Sequence, residues 1–419
     1  MSPHASPHAA VTTKQPVELA DIVRRFGGPL KSRLSAEQYR ALWAITHCRT
    51  ATMGGHIERC RKCSLTRYQY HSCRNRHCPK CQAQASVEWR QARQRDLLPV
   101  PYFHHVFTLP HELNDLILTS ERNWRALLTL LFHSAAATLL EFGRNNLGGQ
   151  LGITLMLHTW DQQLRPHFHV HALVPSGALA TSGGHWIAGG RKFLFPVCAL
   201  SKVFRAKYLD GIARLLAEGE LDLPLSDEVL RDETTCRRWL RRLRKKSWVV
   251  YAQPPFAGPR KLLDYLSRYV HRTAISNHRL IACTDDNVSF TYRDRAAGDR
   301  RGIATLPGEI FLQRFLLHVL PNGFMRVRHY GFLANCVKQQ NLACCRELLA
   351  VRPVSDEPTN PQTAQAWFQE LTGIDLTRCP DCGGPLIRRE LPPRGQPRSR
   401  SMVHSPIRRS RSPPIQDTS

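Results

Sequence analysis

Acidic side chains are scarce in this sequence. Against 59 Lys and Arg, the 419-residue chain sets only 33 Asp and Glu, a formal net charge of +26. That excess is out of place in an ordinary metabolic enzyme and points to a polyanion partner, nucleic acid above all. Long apolar runs are missing too: none approaches the roughly 20 residues of a membrane span, so no membrane partner is expected. Residues Met1–Ala10 offer neither a basic n-region nor an apolar stretch, so no export signal is read there. No internal repeat is found. What is present is a hydrophobic share of 42%, enough for at least one core, which excludes a wholly disordered chain. At roughly 150 residues per domain the length allows about three domains. The 14 cysteines, without an export signal, are expected to stay reduced in the cytoplasm.

The pattern along the chain is mixed. Met1–Pro16 is polar and reads as disordered. Helical apolar spacing covers Glu18–Phe26 and Ala36–His47, and a polar helix over Ala83–Leu97 leaves a Cys-rich segment at about 48–82. Pro101–Leu109 alternates and reads as a strand, as do Gly152–His158, His167–Val174 and Trp248–Ala252. Asn123–Phe142, Lys202–Glu218 and Lys261–His271 read as helices. A short hairpin is expected over Trp186–Val197, and further strands over Arg279–Thr291. This is an α+β pattern with a mainly antiparallel sheet. From Arg388 to Ser419 eight Arg face only Glu390 and Asp417, so this Arg/Ser/Pro-rich tail is expected to be disordered. The resulting division is 17–97 for a zinc-binding, DNA-binding domain, 98–335 for a central α+β domain, and 336–387 for a helical C-terminal segment.

The cysteines cluster in C-x-x-C pairs, which in a reducing compartment read as metal sites. Cys60-x-x-Cys63 and Cys78-x-x-Cys81 are 14 residues apart, and two such knuckles suit one tetrahedral Zn2+ with a closed, structural shell. Cys48, His56, Cys73 and His77 are also of zinc-ligand type and could form a second site; otherwise Cys73 and His77 pack or contact DNA. Arg59, Arg61, Lys62, Arg67, Arg74, Arg76 and Lys80 interleave with Tyr68 and Tyr70, a combination suited to phosphate contact and base stacking, or to a merely solvated face. Cys379-Pro-Asp-Cys-Gly-Gly384 resembles half a zinc ribbon, with Cys336, Cys344 or Cys345 as candidate partners.

Two further segments carry chemistry. In Pro166–Val174, His167, His169 and His171 share one strand face, and Phe168, Val170, Ala172 and Val174 the other. Two His at i, i+2 can hold a divalent cation, and if the two flanking strands pair as a hairpin, His158 joins His169 and His171. Three imidazoles leave coordination positions open, which suits a catalytic metal. Asp161, Gln162 and Gln163 are lesser candidates in the intervening loop. On the helix at 261–272, Tyr265 and Tyr269 lie at i, i+4 on one face, beside Arg268 and Arg272. Such pairs usually pack, but near a cation a phenol can attack a DNA phosphate.

Together, His169-Val-His171, Cys73–Cys81 (Cys-Arg-Asn-Arg-His-Cys-Pro-Lys-Cys), Phe107-Thr-Leu-Pro110, Trp248-Val-Val-Tyr251, Tyr265–Asn277 and Arg328–Asn335 resemble the two-tyrosine, rolling-circle transposases of the IS91 family. The resemblance spans about 17–387. It implies an HUH nuclease core after an N-terminal zinc-binding domain. His169 and His171 would hold Mg2+ or Mn2+, and Tyr265 and Tyr269 would be nucleophiles on single-stranded DNA at element ends. His158 as third ligand rests on the hairpin argument. A basic helix near Arg237–Lys246, with Arg237 and Arg241 among its cations and Trp239, Leu240 and Leu243 as its apolar stripe, adds a DNA-backbone contact, as do Arg74, Arg76, Arg268 and Arg272. The competing readings are a replication initiator or relaxase-type HUH nuclease, and a non-catalytic zinc-dependent DNA-binding protein. Only an HUH enzyme explains the His and Tyr pairs together.

Overall fold

The computed structural model describes residues 16–81, 93–182, 184–190, 192–223, 232–256, 273–294, 298–351, 369 and 373–394. The chain forms two compact units, one from 1–48 and 72–376, the other from 49–71 and 377–419. The tyrosine helix expected at 261–272, most of the helix expected at 83–97, and the first 15 residues lie outside the described residues.

Strands follow in chain order: β1 (Gly55–Cys60), β2 (Thr66–Tyr70), β3 (Tyr102–Thr108), β4 (Gly149–Gln150), β5 (Gly152–Trp160), β6 (Pro166–Pro175), β7 (Gly177–Ala180) and β8 (Trp186–Ala188). After these come β9 (Val250–Gln253), β10 (Leu280–Cys283), β11 (Asn287–Asp294), β12 (Arg300–Pro307), β13 (Val327–Gly331) and β14 (Leu386–Leu391).

The larger unit is built on a five-stranded sheet of order β13-β5-β6-β3-β9, antiparallel at every pairing. Strict alternation in β6 fixes its register, because a slip of one residue would turn the histidines into the core. Phe168, Val170, Ala172 and Val174 are all at most 1% exposed and pack with Phe103, Phe107, Leu155 and Leu157. Each of these side chains larger than Ala172 contributes about 1.5–3 kcal/mol by leaving water. The helices Glu121–Phe142 and Val197–Ala217 cover this face through Leu127, Leu131, Phe132, Phe204 and Tyr208. Ser120 caps the first helix by accepting from the Asn123 amide at 3.1 Å. By length and composition Glu121–Leu147 could cross a membrane. Its leucines instead form this core, so the expectation that no apolar segment is long enough fails on the sequence pattern alone.

A second core joins the helices Leu19–Phe26, Ala36–His47 and Gly308–Leu316 to β10 and β11, with Phe290, Phe311 and Phe315 at its centre. Ser35 and Gln38 close the start of 36–47 as a reciprocal capping box. The basic helix runs Glu233–Lys245, started by the Asp232 carboxylate accepting from the Thr235 amide. Its Cys236, Trp239 and Leu240 pack on the main core, and Leu243 is buried there.

Three expectations change. The hairpin expected at Trp186–Val197 does not form: β8 pairs with β7, and Val197 already begins the helix that ends at Ala217. The boundary expected at residue 388 falls inside β14, which pairs with β1 along its whole length. Residues 377–391 therefore belong with the 49–71 hairpin, in a three-stranded sheet of order β14-β1-β2, and not with a helical C-terminal segment.

Candidate active site and zinc centres

The face of the central sheet opposite the helices carries the histidines. β5 and β6 form the expected hairpin, and His158 stands directly across from His169. One ring nitrogen each of His158, His169 and His171 lies within 4.8 Å of the others, and all three residues are buried. His171 Nε2 and His158 Nδ1 are 3.2 Å apart. Trp160 stacks on His158 at 5.0 Å between ring centroids and fixes that ring.

The second ring nitrogen of His169 and of His171 is already committed. His169 Nδ1 donates to the carbonyl of His167 at 2.8 Å, leaving Nε2 with its lone pair. For His171 the tautomer follows from a relay across three strands. Gln253 Oε1 accepts from His104 Nδ1 at 3.1 Å, so His104 Nε2 must accept from His171 Nδ1, at 2.8 Å. His171 then also presents Nε2. Burial holds the His104 pKa down at about 4, with the Gln253 bond opposing, so this relay member stays neutral, as a donor–acceptor link requires. Neutral imidazoles with fixed orientations and converging lone pairs fit a divalent cation. Of Mg2+ and Mn2+, the nitrogen-rich set suits Mn2+ better, because Mg2+ prefers oxygen.

Sequence reasoning missed His104 and Gln253. Both sit on strands it recognised or bordered, but their meeting with His171 depends on β3 lying between β6 and β9. Asp161 is no ligand in this arrangement: its carboxylate accepts from the amides of Gln163 and Arg165, each at 2.8 Å, and from the Arg165 guanidinium. Tyr265, Tyr269, Arg268 and Arg272 lie outside the described residues.

The cysteines depart from the expected grouping. Cys60, Cys63, Cys78 and Cys81 do not converge on one point. Cys78 and Cys81 meet Cys48 and Cys73, while Cys60 and Cys63 meet Cys379 and Cys382, and each quartet has its sulfurs within 4.8 Å of one another. Cys48 and Cys78 are buried in the second core, with Cys73 and Cys81 packed against it. In the first quartet Cys81 lies 3.4 Å from Cys48 and 3.6 Å from Cys73, sulfur to sulfur. Hydrogen bonds from Cys48, Cys73 and Cys78 hold the Cys81 pKa down, while contacts with Cys48, Cys73 and Cys81 push Cys78 up. Four thiols at this range cannot all ionise without a cation between them.

The second group expected, Cys48, His56, Cys73 and His77, is therefore divided. His56 bonds to Glu58, and His77 is buried and belongs to neither quartet. Cys345 packs in a small apolar cluster with Leu342 and Phe332, so neither it nor Cys344 or Cys336 joins Cys379. Arg76 donates to the carbonyls of Phe324 and Pro321 at 3.2 and 3.4 Å, so its guanidinium is committed within the protein. Arg237 and Arg241 are exposed, the former paired with Glu233.

Sequence comparison adds to this geometry. Residues 21–109 match a family described as "Transposase zinc-binding domain", and residues 152–341 match one described as "Putative transposase". The chain is 42% identical over 381 residues to "Putative transposase y4qJ" of Sinorhizobium fredii, covering 89% of this chain and 95% of that relative. It is 28% identical over 349 residues to the transposase for insertion sequence element IS801 of Pseudomonas savastanoi pv. phaseolicola, covering 81% and 80%. The chain belongs to the IS91 family of transposases. No solved structure matches it.

In this transposase the three histidines fall inside the 152–341 match, and the quartet Cys48, Cys73, Cys78 and Cys81 inside the zinc-binding domain. Structural Zn2+ follows for that domain. Four thiolates around one ion close its coordination shell, so the ion holds the fold and takes no substrate.

Proposed function

We propose that this transposase cleaves and rejoins single-stranded DNA at insertion-element ends through 5′-phosphotyrosine intermediates, acting in the cytoplasm on the nucleoid. The observation that carries the reading is the buried trio His158, His169 and His171 on the face of the antiparallel sheet opposite the core helices. A divalent cation there, Mg2+ or Mn2+, would polarise the scissile phosphate and offset its charge.

Tyr265 and Tyr269 are the proposed nucleophiles. The phenol oxygen of one attacks phosphorus and loses its proton. The P–O3′ bond breaks, and the leaving 3′ oxygen takes up a proton as a free hydroxyl. The phosphodiester energy is kept in the phosphotyrosine, so the 3′-hydroxyl of another strand reverses the step and rejoins DNA. Two tyrosines let one hold the first 5′ end while the other cuts a second strand. Arg268 and Arg272, at i, i+4 on the same segment, would counter the phosphate charge there.

DNA binding is assigned to the exposed cations of the helix Glu233–Lys245, with Arg237 and Arg241 among them, to Arg74, and to the face of β2. There Tyr68 and Tyr70 stack with centroids 6.3 Å apart, and Tyr68 is 58% exposed, a platform suited to unpaired bases.

The test is an adduct assay on a single-stranded end with Mn2+. Wild type should give a denaturant-resistant adduct that maps to 261–272 by mass spectrometry. Tyr265→Phe with Tyr269→Phe should give none, and His169→Ala should stop cleavage while binding survives, because Arg and Lys carry most of the affinity. Tyr251 is the sharp control: it lies across from Val106, itself opposite His171, and is 53% exposed. An adduct on Tyr251, or one surviving the double change, would overturn the assignment.

A further inference from the structure

The unit formed by 49–71 and 377–394 has almost nothing to fold around. Among its described residues the buried side chains are Glu58, Cys60 and Cys379, and none of the apolar clusters includes a residue from it. About 40 residues without an apolar core do not hold together unaided. Part of the answer is the central strand. Glu58 is buried and lies across from Arg67 on β2 and Arg388 on β14, bonding both guanidiniums. One buried carboxylate clamps three strands but replaces no core.

The rest is in the thiols. Cys60 Sγ lies 3.5 Å from Cys382 Sγ, and Cys63 Sγ 3.5 Å from Cys379 Sγ. These separations are too long for a disulfide, at about 2.05 Å. They are close to the roughly 3.8 Å edge of a tetrahedron with Zn–S bonds of about 2.3 Å. The two loops are also built alike. The residue after the second cysteine is left-handed in both, Ser64 at φ 61° and Gly383 at φ 67°. The amide of the first cysteine donates to the carbonyl five residues on in both, Cys60 to Leu65 and Cys379 to Gly384, each at 2.8 Å. A Cβ at Gly384 would meet Cys60 Sγ at 3.1 Å, so the absence of a side chain there lets the two knuckles close on each other.

We propose that Cys60, Cys63, Cys379 and Cys382 form a second Zn2+ site, which joins the β1–β2 hairpin to the C-terminal strand β14 in one discontinuous zinc ribbon. Two of the four ligands lie some 270 residues beyond the zinc-binding domain match, which ends at residue 109. The ribbon hairpin, 49–71, is inserted in the sequence between Cys48 and Cys73, two ligands of the first quartet. The zinc-binding region of this transposase is thus two sites, the second of which needs the C-terminal segment.

The experiment is metal analysis of the full chain purified under reducing conditions. Wild type should hold two zinc ions. Cys379→Ser with Cys382→Ser should hold one, and so should Cys60→Ser with Cys63→Ser. All four changes together should still leave one, because both pairs serve the same ion. Cobalt substitution of the wild type guards against a variant that fails to fold. Two equivalents of Co2+ should each give the intense absorption of a tetrahedral tetrathiolate. Counted by cobalt–thiolate absorption, which a metal on His158, His169 and His171 does not give, one thiolate-bound ion in the wild type or two in the Cys379/Cys382 variant would overturn the site. None of these readouts depends on cleavage, so they stand apart from the test of the nuclease reading.

Discussion

His104 shows how much rests on a single ring nitrogen. It touches no proposed metal position, yet its Nε2 sets which nitrogen of His171 carries the proton, and Gln253 sets His104 in turn. Outer partners of this kind typically change metal affinity by about 10–100-fold. Gln253→Ala should weaken Mn2+ binding within that range, as read by calorimetry, and Gln253→Glu should restore it because a carboxylate also accepts from Nδ1. Equal Mn2+ affinity in wild type and Gln253→Ala would remove the relay from the account. Gly331 is a second such position. It ends β13 at φ 63°, and a Cβ there would lie 1.7 Å from the Leu151 carbonyl oxygen. Gly331→Ala should lower the melting temperature by several degrees and reduce soluble yield, since both the left-handed backbone and the contact oppose it. Gly331 lies in the Arg328–Asn335 run that marks the family resemblance, and the structure supplies a backbone reason for it.

Among the elements, β6 was the most legible. Period-two alternation is a local property, so the sequence alone assigns Phe168, Val170, Ala172 and Val174 to the core and the histidines to the other face. The β5–β6 pairing was also within reach, because a short polar loop between two strands leaves few alternatives. The relay was not: His104 on β3 and Gln253 on β9 are 149 residues apart in the chain, and nothing local says that β3 lies between β6 and β9. The basic helix was legible in composition and in its stripe of Trp239, Leu240 and Leu243. Its partners were not, for Arg244 pairs with Asp210, more than 30 residues earlier. Arg238, Arg241 and Arg242 are among its remaining exposed cations, with DNA backbone as their proposed partner. Replacing these three with Ala should weaken binding to single strands of any sequence. The slope of log affinity against log salt should shrink by about 2, at roughly 0.7 per lost phosphate contact. An unchanged salt slope would show that this helix is only a solvated face.

At the scale of the whole molecule, buried histidines make stability depend on acid. Burial holds His105, His318 and His329 near a pKa of about 4, against roughly 6.5 in the unfolded chain. As pH falls the unfolded chain takes up these protons first. Stability is therefore full above about 6.5 and declines from there down to about 4. A thermal melt series between pH 7.5 and 4.5 should show that decline. His105 is the discriminating residue, because both its ring nitrogens are buried without a hydrogen-bond partner among the described residues. His105→Leu should melt less steeply with acid while leaving the zinc content unchanged, and a slope identical to wild type would exclude His105 as a contributor.

The sequence by itself determined the charge and hence the class of partner, the α+β pattern, the face on which the histidines sit, and the presence of thiol knuckles. All of these depend on residue type or on spacing within one element, where covalent geometry fixes which side chains share a face. Only the tertiary structure decided which knuckles meet. Any two C-x-x-C turns can complete a tetrahedron, so 14 intervening residues made Cys60–Cys63 and Cys78–Cys81 look like partners. Packing then sent the second pair into a core with Cys48 and left the first to the C-terminal Cys379 and Cys382. Spacing limits how far apart two ligands can be, but it carries no information on which of several equal donors a distant strand will bring alongside.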